Sequence, residues 1–130
     1  MHFPRITEQQ TQAVLEIFRP LCPLAIYLFG SFGTAHQHPE SDVDLAILTS
    51  SPMDPLICFR LAGMLADALK FPVDLVDLRS ASTVLAKEVI RTGHLLFIAD
   101  DLSRQYFEMK TLSDYARLNE ERSVILRQAA

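Results

Sequence analysis

Apolar residues fall along this chain in alternating helical and strand-like runs. Thr7 is placed to cap a first helix reaching about Arg19, with Gln10 at the capping-box position and Val14, Leu15 and Phe18 as its apolar stripe. Pro20 and Pro23 end it, and Leu24 to Phe29 follows as an unbroken apolar run, short and bounded by Pro and Gly, that predicts a strand covered on both faces. Residues 32–41 hold Gly, His and Pro and predict a short helical turn and a loop, after which Asp42 to Leu48 resumes as a second strand. Pro55 suits the first turn of a helix behind Asp54, with Ile57, Leu61, Leu65, Ala68 and Leu69 at helical spacing to about Lys70.

Pro72 stops that helix and leads into a third strand, Val73 to Leu78. Ser82 or Thr83 starts another helix that reaches Arg91, with Gly93 where a C-terminal cap belongs, and Leu95 to Ile98 predicts a short fourth strand. From Asp101 to about Gln128 there is neither Gly nor Pro, and Leu102, Tyr106, Met109, Leu112 or Ser113, and Ala116 keep a helical repeat. A long, largely solvent-facing terminal helix is expected, with room for one break. The order predicts an α/β (α+β) domain with a small mixed sheet of about four strands flanked by helices. With 130 residues the chain is expected to be one domain, a core over about 1–99 and a helical tail over about 100–130.

Composition narrows the function classes. The chain is 49% hydrophobic and 22% charged, the balance of an ordinary globular protein. Its net charge of -4 argues against tracking bulk nucleic acid, which calls for a basic face. Cys22 and Cys58 are widely spaced in apolar contexts and are expected to be core thiols in a reducing compartment. No signal peptide precedes the first helix and no stretch approaches the ~20 apolar residues of a membrane span, so a cytoplasmic protein without membrane contact is expected.

The chemistry is concentrated in Gly30-Ser31 and, after a ten-residue gap, Asp42-Val43-Asp44. Four fixed positions at one spacing arise by chance in a chain this short on the order of once in a thousand. Carboxylates at i and i+2 of a strand face one way, where their repulsion calls for a cation, and hard oxygen ligands of this kind suit Mg²⁺ shared with nucleotide phosphates. Gly30 lets backbone approach a phosphate closely, and Ser31 adds a hydroxyl. Asp74 is the candidate third carboxylate, as base or as ligand of a second metal, and Asp77 has the opposite strand parity. Read singly, Gly-Ser is a turn and Asp44 an outward strand residue; together, two like charges on one strand face have no structural purpose. His36 and His38, in a polar loop, read as solvated or substrate-touching residues rather than metal ligands, and Asn119 to Arg122 as a solvated helix face. Tyr106, Phe107 and Tyr115 are either a partner surface or the inner stripe of the last helix, with the stripe favoured.

Gly30-Ser31, Asp42-Val43-Asp44-Leu45 and Val73-Asp74-Leu75-Val76-Asp77-Leu78 together resemble the polymerase β-like nucleotidyltransferase superfamily. Within it, the short chain is similar to the minimal nucleotidyltransferases, which include MntA-like antitoxins paired with HEPN ribonuclease toxins. The resemblance implies that Gly30 and Ser31 bind nucleotide, that Asp42, Asp44 and Asp74 are catalytic and hold Mg²⁺, two ions in all, and that ATP is the substrate. It further implies transfer of AMP to a hydroxyl, a tyrosine of the HEPN toxin, with release of pyrophosphate, and a hetero-oligomer with that toxin or a homo-oligomer. One position departs: where many members carry Ala-Arg-Gly, this chain has Gly33-Thr34-Ala35, so phosphate charge falls to the metal or to His36, Arg60 or Lys87. Two other readings stand beside this one. The first is an antitoxin that neutralises its partner by binding alone, and the second is a transferase for a small molecule such as an aminoglycoside, disfavoured by the chain's size.

Overall fold

The computed structural model describes residues 6–30 and 42–129. Thr7 caps α1 (Glu8–Phe18) through the reciprocal bonds of a capping box with Gln10, and a single 3₁₀ turn over Arg19–Leu21 follows. Cys22 closes that turn in the left-handed region, exposed, so the expected core thiol is a surface one there. Strands β1 (Ala25–Phe29) and β2 (Val43–Leu48) come next, and α2 (Pro55–Leu69) starts with the Asp54 carboxylate accepting the Leu56 amide. Then follow β3 (Val73–Asp77), α3 (Thr83–Thr92) capped by Ser82, β4 (His94–Ile98) and α4 (Asp101–Ala129). The predicted order of elements holds, and α4 runs its 29 residues without a break.

The four strands lie in the order β3-β2-β1-β4, a mixed sheet. β1 is antiparallel to β2 and to β4, while β2 and β3 run parallel. A bulge between β1 and β4 makes Leu96 an extra residue, since Ile26 faces Phe97 and Tyr27 faces Leu95. Strand alternation sorts the core into two layers. Ile26, Leu28, Val43, Leu45 and Ile47 pack with Val14 and Phe18 of α1 and Leu61, Leu65 and Leu69 of α2. On the other face Ala25, Tyr27, Ala46 and Leu48 pack with Ala86 and Val89 of α3, and Phe107 of α4 covers them. The central strands are buried on both faces, which is why they read as continuous apolar runs.

The orientation of α4 bears out a largely solvent-facing helix but corrects the favoured stripe at Tyr106, which points outward beside Leu102 and Met109, with exposures of 61%, 79% and 63%. The inner face carries instead Phe107, Thr111 and Tyr115, so the tyrosines divide, Tyr115 half-buried and Tyr106 outside. Cation-π contacts hold this face: the Arg79 guanidinium lies 5.4 Å from the Phe107 ring centre and the Lys87 ammonium 4.5 Å from that of Tyr115. Buried Tyr27 donates to Glu108 Oε2 at 2.7 Å, and Arg104 donates to the same oxygen at 2.9 Å. Burial and the Glu108 carboxylate push the Tyr27 phenol well above its ordinary value, so it stays a neutral donor. From Asn119 to Ala129 every residue is exposed. No helix among the described residues is long and apolar enough to cross a membrane.

Replacing Tyr27 with Phe removes the bond that joins the central strand to α4. Urea denaturation should show a loss of about 1.5–3 kcal/mol, the range for a hydrogen bond to a charged group. Amide exchange in the first half of α4 should speed up more than in α1.

Candidate active site

The C-terminal end of β1 and the N-terminal ends of β2 and β3 meet at one edge of the sheet. Phe29 is opposite Asp44 in the antiparallel pair, and Asp44 is opposite Asp74 in the parallel one. Gly30, Asp44 and Asp74 therefore stand in a row across three neighbouring strands. Asp44 and Asp74 share strand parity with Ala46 and Val76, so both point to the α3 and α4 face, beyond the end of its packed core.

Gly30 has φ +82°, a left-handed conformation that favours glycine. A Cβ built there would run into the Asp44 carboxylate, lying 2.9 Å from its Cγ, so glycine is required twice over. Ser31, the other predicted nucleotide-binding residue, lies outside the described residues, as do Thr34, His36 and His38. Of the proposed replacements for the missing basic residue, Lys87 is engaged at 3.1 Å with Glu88 and over Tyr115, while Arg60 is exposed on α2.

Asp42 precedes β2 by one residue and is exposed, a small departure from the strand position expected for it. It still acts on Asp44. Burial first, then the charge of Asp74, then that of Asp42, raise the Asp44 carboxyl to about 6. Three acids are thus electrostatically in touch. Among the described residues no three Asp, Glu, His or Cys side chains converge closely enough to grip an ion unaided. The donor set nevertheless fits Mg²⁺, an ion usually held by one or two carboxylates with the remaining places filled by phosphate oxygens and water. Mutual repulsion at Asp44 is what such an ion would relieve.

Asp77 is drawn into other work. Its Oδ2 accepts from the Met53 amide at 2.8 Å and the Ser80 hydroxyl at 2.9 Å, and its Oδ1 from the Arg79 amide at 3.1 Å. It ties the loop before α2 to the turn after β3. Arg79 reinforces the same joint, with Nε donating to the Thr49 carbonyl at 2.6 Å. The structure thus groups Asp74 with Asp44 and leaves Asp77 as a loop anchor.

Sequence reasoning missed a groove beside Asp74. A cavity of about 690 Å³ runs along the free side of β3 against α2, with Asp74 on its border. It arises from packing between distant segments, and only Gly63, inside an otherwise good helix, signals it in the sequence.

The chain belongs to the polymerase beta nucleotidyltransferase family, whose profile matches residues 12–102. It is 45% identical over 101 residues, 78% of this chain and 72% of the relative, to the protein adenylyltransferase MntA of Shewanella oneidensis. Among solved structures it is similar to a toxin-antitoxin with AMP-PNP, at a TM-score of 0.80 and 39% identity, covering 92% of this chain and 97% of that one. It is also similar to the MNT antitoxin structure with a tri-AMPylated Shewanella oneidensis HEPN toxin, at a TM-score of 0.76 and 37% identity over 92% of this chain and 95% of that one.

The shifted Asp44 gives a signed pH dependence. Its proton is held more tightly in the folded protein than in the unfolded chain, so ionised Asp44 opposes folding. In chelator-treated protein, stability should fall as pH rises from about 4 to about 6, then level off. Asp44→Asn should remove that step and raise stability at pH 8 by about 1–2 kcal/mol, solvent screening at this part-exposed position included, as read from thermal melts across the range.

Proposed function

We propose that this chain is an antitoxin that works as a protein adenylyltransferase, moving AMP from ATP to a tyrosine hydroxyl of a cognate HEPN ribonuclease toxin with the help of Mg²⁺. The observation that carries the reading is the in-register pair Asp44 and Asp74, with Asp42 in electrostatic reach and Gly30 abutting Asp44. The similarity to MntA and to toxin-antitoxin structures, one with AMP-PNP and one with an AMPylated HEPN toxin, supports the choice of nucleotide and partner. The whole chain serves as one minimal transferase domain, acts in the cytoplasm and forms a hetero-oligomer with the toxin.

In this reading Gly30 lets the backbone approach the phosphates, and Ser31 adds its hydroxyl beside it. Asp42, Asp44 and Asp74 would hold the metal, one ion or two. Bound Mg²⁺ would offset the charge of the phosphates and favour displacement at phosphorus. Asp74, outermost of the three, takes the proton of the incoming hydroxyl. The hydroxyl oxygen bonds to the α-phosphorus, the bond from that phosphorus to the bridging oxygen breaks, and pyrophosphate departs with the electron pair.

A second reading has its own support. The outward stripe of Leu102, Tyr106 and Met109 on α4 offers a contact face for a toxin neutralised by masking. Co-expression separates the two readings. Cells carrying the toxin should grow with the wild-type chain and stop growing with the Asp42→Asn, Asp44→Asn double variant; continued growth with the double variant at equal protein level would favour masking.

A further inference from the structure

We infer that Arg122, on the free end of α4, is a phosphate-binding residue whose guanidinium takes the β- and γ-phosphates of the nucleotide. The inference rests on the nucleotidyltransferase reading of Asp44 and Asp74 and adds to that site a residue from beyond the 12–102 stretch that matches the family.

The two helices on the α3 and α4 face run the same way. The Leu78 amide bonds the Ile47 carbonyl and Arg79 bonds the Thr49 carbonyl, so α3 begins at the end of the sheet away from the carboxylates. It finishes at Gly93, where an added Cβ would lie 3.5 Å from the Phe29 Cβ, next to Gly30. In α4, Phe107 lies against Arg79, just before α3, and Tyr115 lies against Lys87, halfway along it. Both helices therefore rise toward Asp44 and Asp74. With equal rise per residue, Glu120 comes level with Thr92, the last residue of α3, and what remains of α4 overhangs the site. Burial agrees, because α4 is covered in part as far as Leu118 and every residue from Asn119 to Ala129 is exposed. The overhang stands on the face to which both carboxylates point.

Helical phase selects Arg122 within that overhang. Thr111, 7% exposed, marks the inward line of α4. At 3.6 residues per turn Tyr115 and Leu118 fall within about 40° of that line, and Arg122 within about 20°. Tyr115 and Leu118 are still partly covered. Arg122 is the next residue on the inward stripe, one turn past the last cover, and it points to the space above the ends of β2 and β3. Arg127 lies about 160° round the helix from Thr111 and faces away.

Charge gives Arg122 a reason to be there. Lys110 pairs with Asp114, Arg117 with Asp114 and Glu121, and Lys87 and Arg91 with Glu88. Arg122 has Leu118, Asn119, Ile125 and Leu126 three and four residues away, so its own helix offers it no acid, and it makes no ion pair among the described residues. Three carboxylates and a triphosphate bring together more negative charge than one or two Mg²⁺ neutralise. A guanidinium presents its donors as a fork that fits phosphate oxygens, and at the departing pyrophosphate it stabilises charge that grows as the bond breaks.

Equilibrium binding of AMP-PNP and of AMP to the purified chain in Mg²⁺ tests this. Arg122→Gln should weaken AMP-PNP binding about 10- to 100-fold, the worth of a charge-assisted hydrogen bond, and leave AMP binding and the melting temperature as in wild type. Arg122→Lys should recover part of the loss, and Arg127→Gln should bind as wild type does. Unchanged AMP-PNP affinity in Arg122→Gln would overturn the inference. An equal loss for AMP, or the same loss in Arg127→Gln, would overturn it too, the first by removing the contact from the β- and γ-phosphates and the second by reducing it to overall charge. A wild-type chain that binds neither nucleotide would instead sink the nucleotidyltransferase reading of the site, which keeps the two failures apart.

Discussion

Parallel pairing of β2 with β3 sets the Asp44 carboxylate next to that of Asp74, and the rest of the molecule is organised so that this repulsive contact persists. Two like charges at directly paired strand positions oppose the pairing. What holds them there is the apolar material behind them: from Leu45 to Leu48 every residue of β2 is buried, with α1 and α2 on one face and α3 and α4 on the other. Asp44 itself is only half-buried, at the point where the helical cover ends. That boundary raises its carboxyl to about 6 and makes it responsive to a cation. Gly30 completes the arrangement because no side chain fits between the end of β1 and Asp44.

The same topology explains why neighbouring acids differ in use. Asp74 and Asp77 occupy one short strand, yet Asp74 is in register with Asp44 while Asp77 is in register with Ile47 and anchors backbone amides on the α2 side. A three-residue offset moves a side chain to the other face of a strand, which separates chemistry from loop anchoring within one turn of sequence.

Much of this was legible in the chain. Thr7 with Gln10, Asp54 with Pro55, and Ser82 all start helices where the capping logic put them, because caps are local interactions. The apolar runs of β1 and β2 marked doubly covered strands for the same reason. The spacing of Gly30, Asp42 and Asp44 led to residues that the fold does bring together, and parity left Asp74 and Asp77 to be separated by their hydrogen bonds. Failures occurred where a pattern does not state its partner. Tyr106 was expected on the inner stripe with Phe107 and Tyr115, but periodicity cannot distinguish the protein's own core from another molecule's surface, and in α4 it faces out beside Leu102 and Met109. Cys22 sits among apolar residues in sequence and is exposed because the 3₁₀ turn swings it outward. The α2 groove depends on residues far apart in sequence and leaves almost no local trace.

The central claim is that Asp44 and Asp74, held side by side on β2 and β3, form the centre at which AMP moves to a protein hydroxyl. Intact-mass spectrometry of the cognate HEPN toxin after incubation with ATP, Mg²⁺ and this chain tests it most directly. One or more AMP units should appear with the wild-type chain and none with a folded Asp74→Asn variant. An unmodified toxin with wild type, or equal modification with Asp74→Asn, would contradict the account.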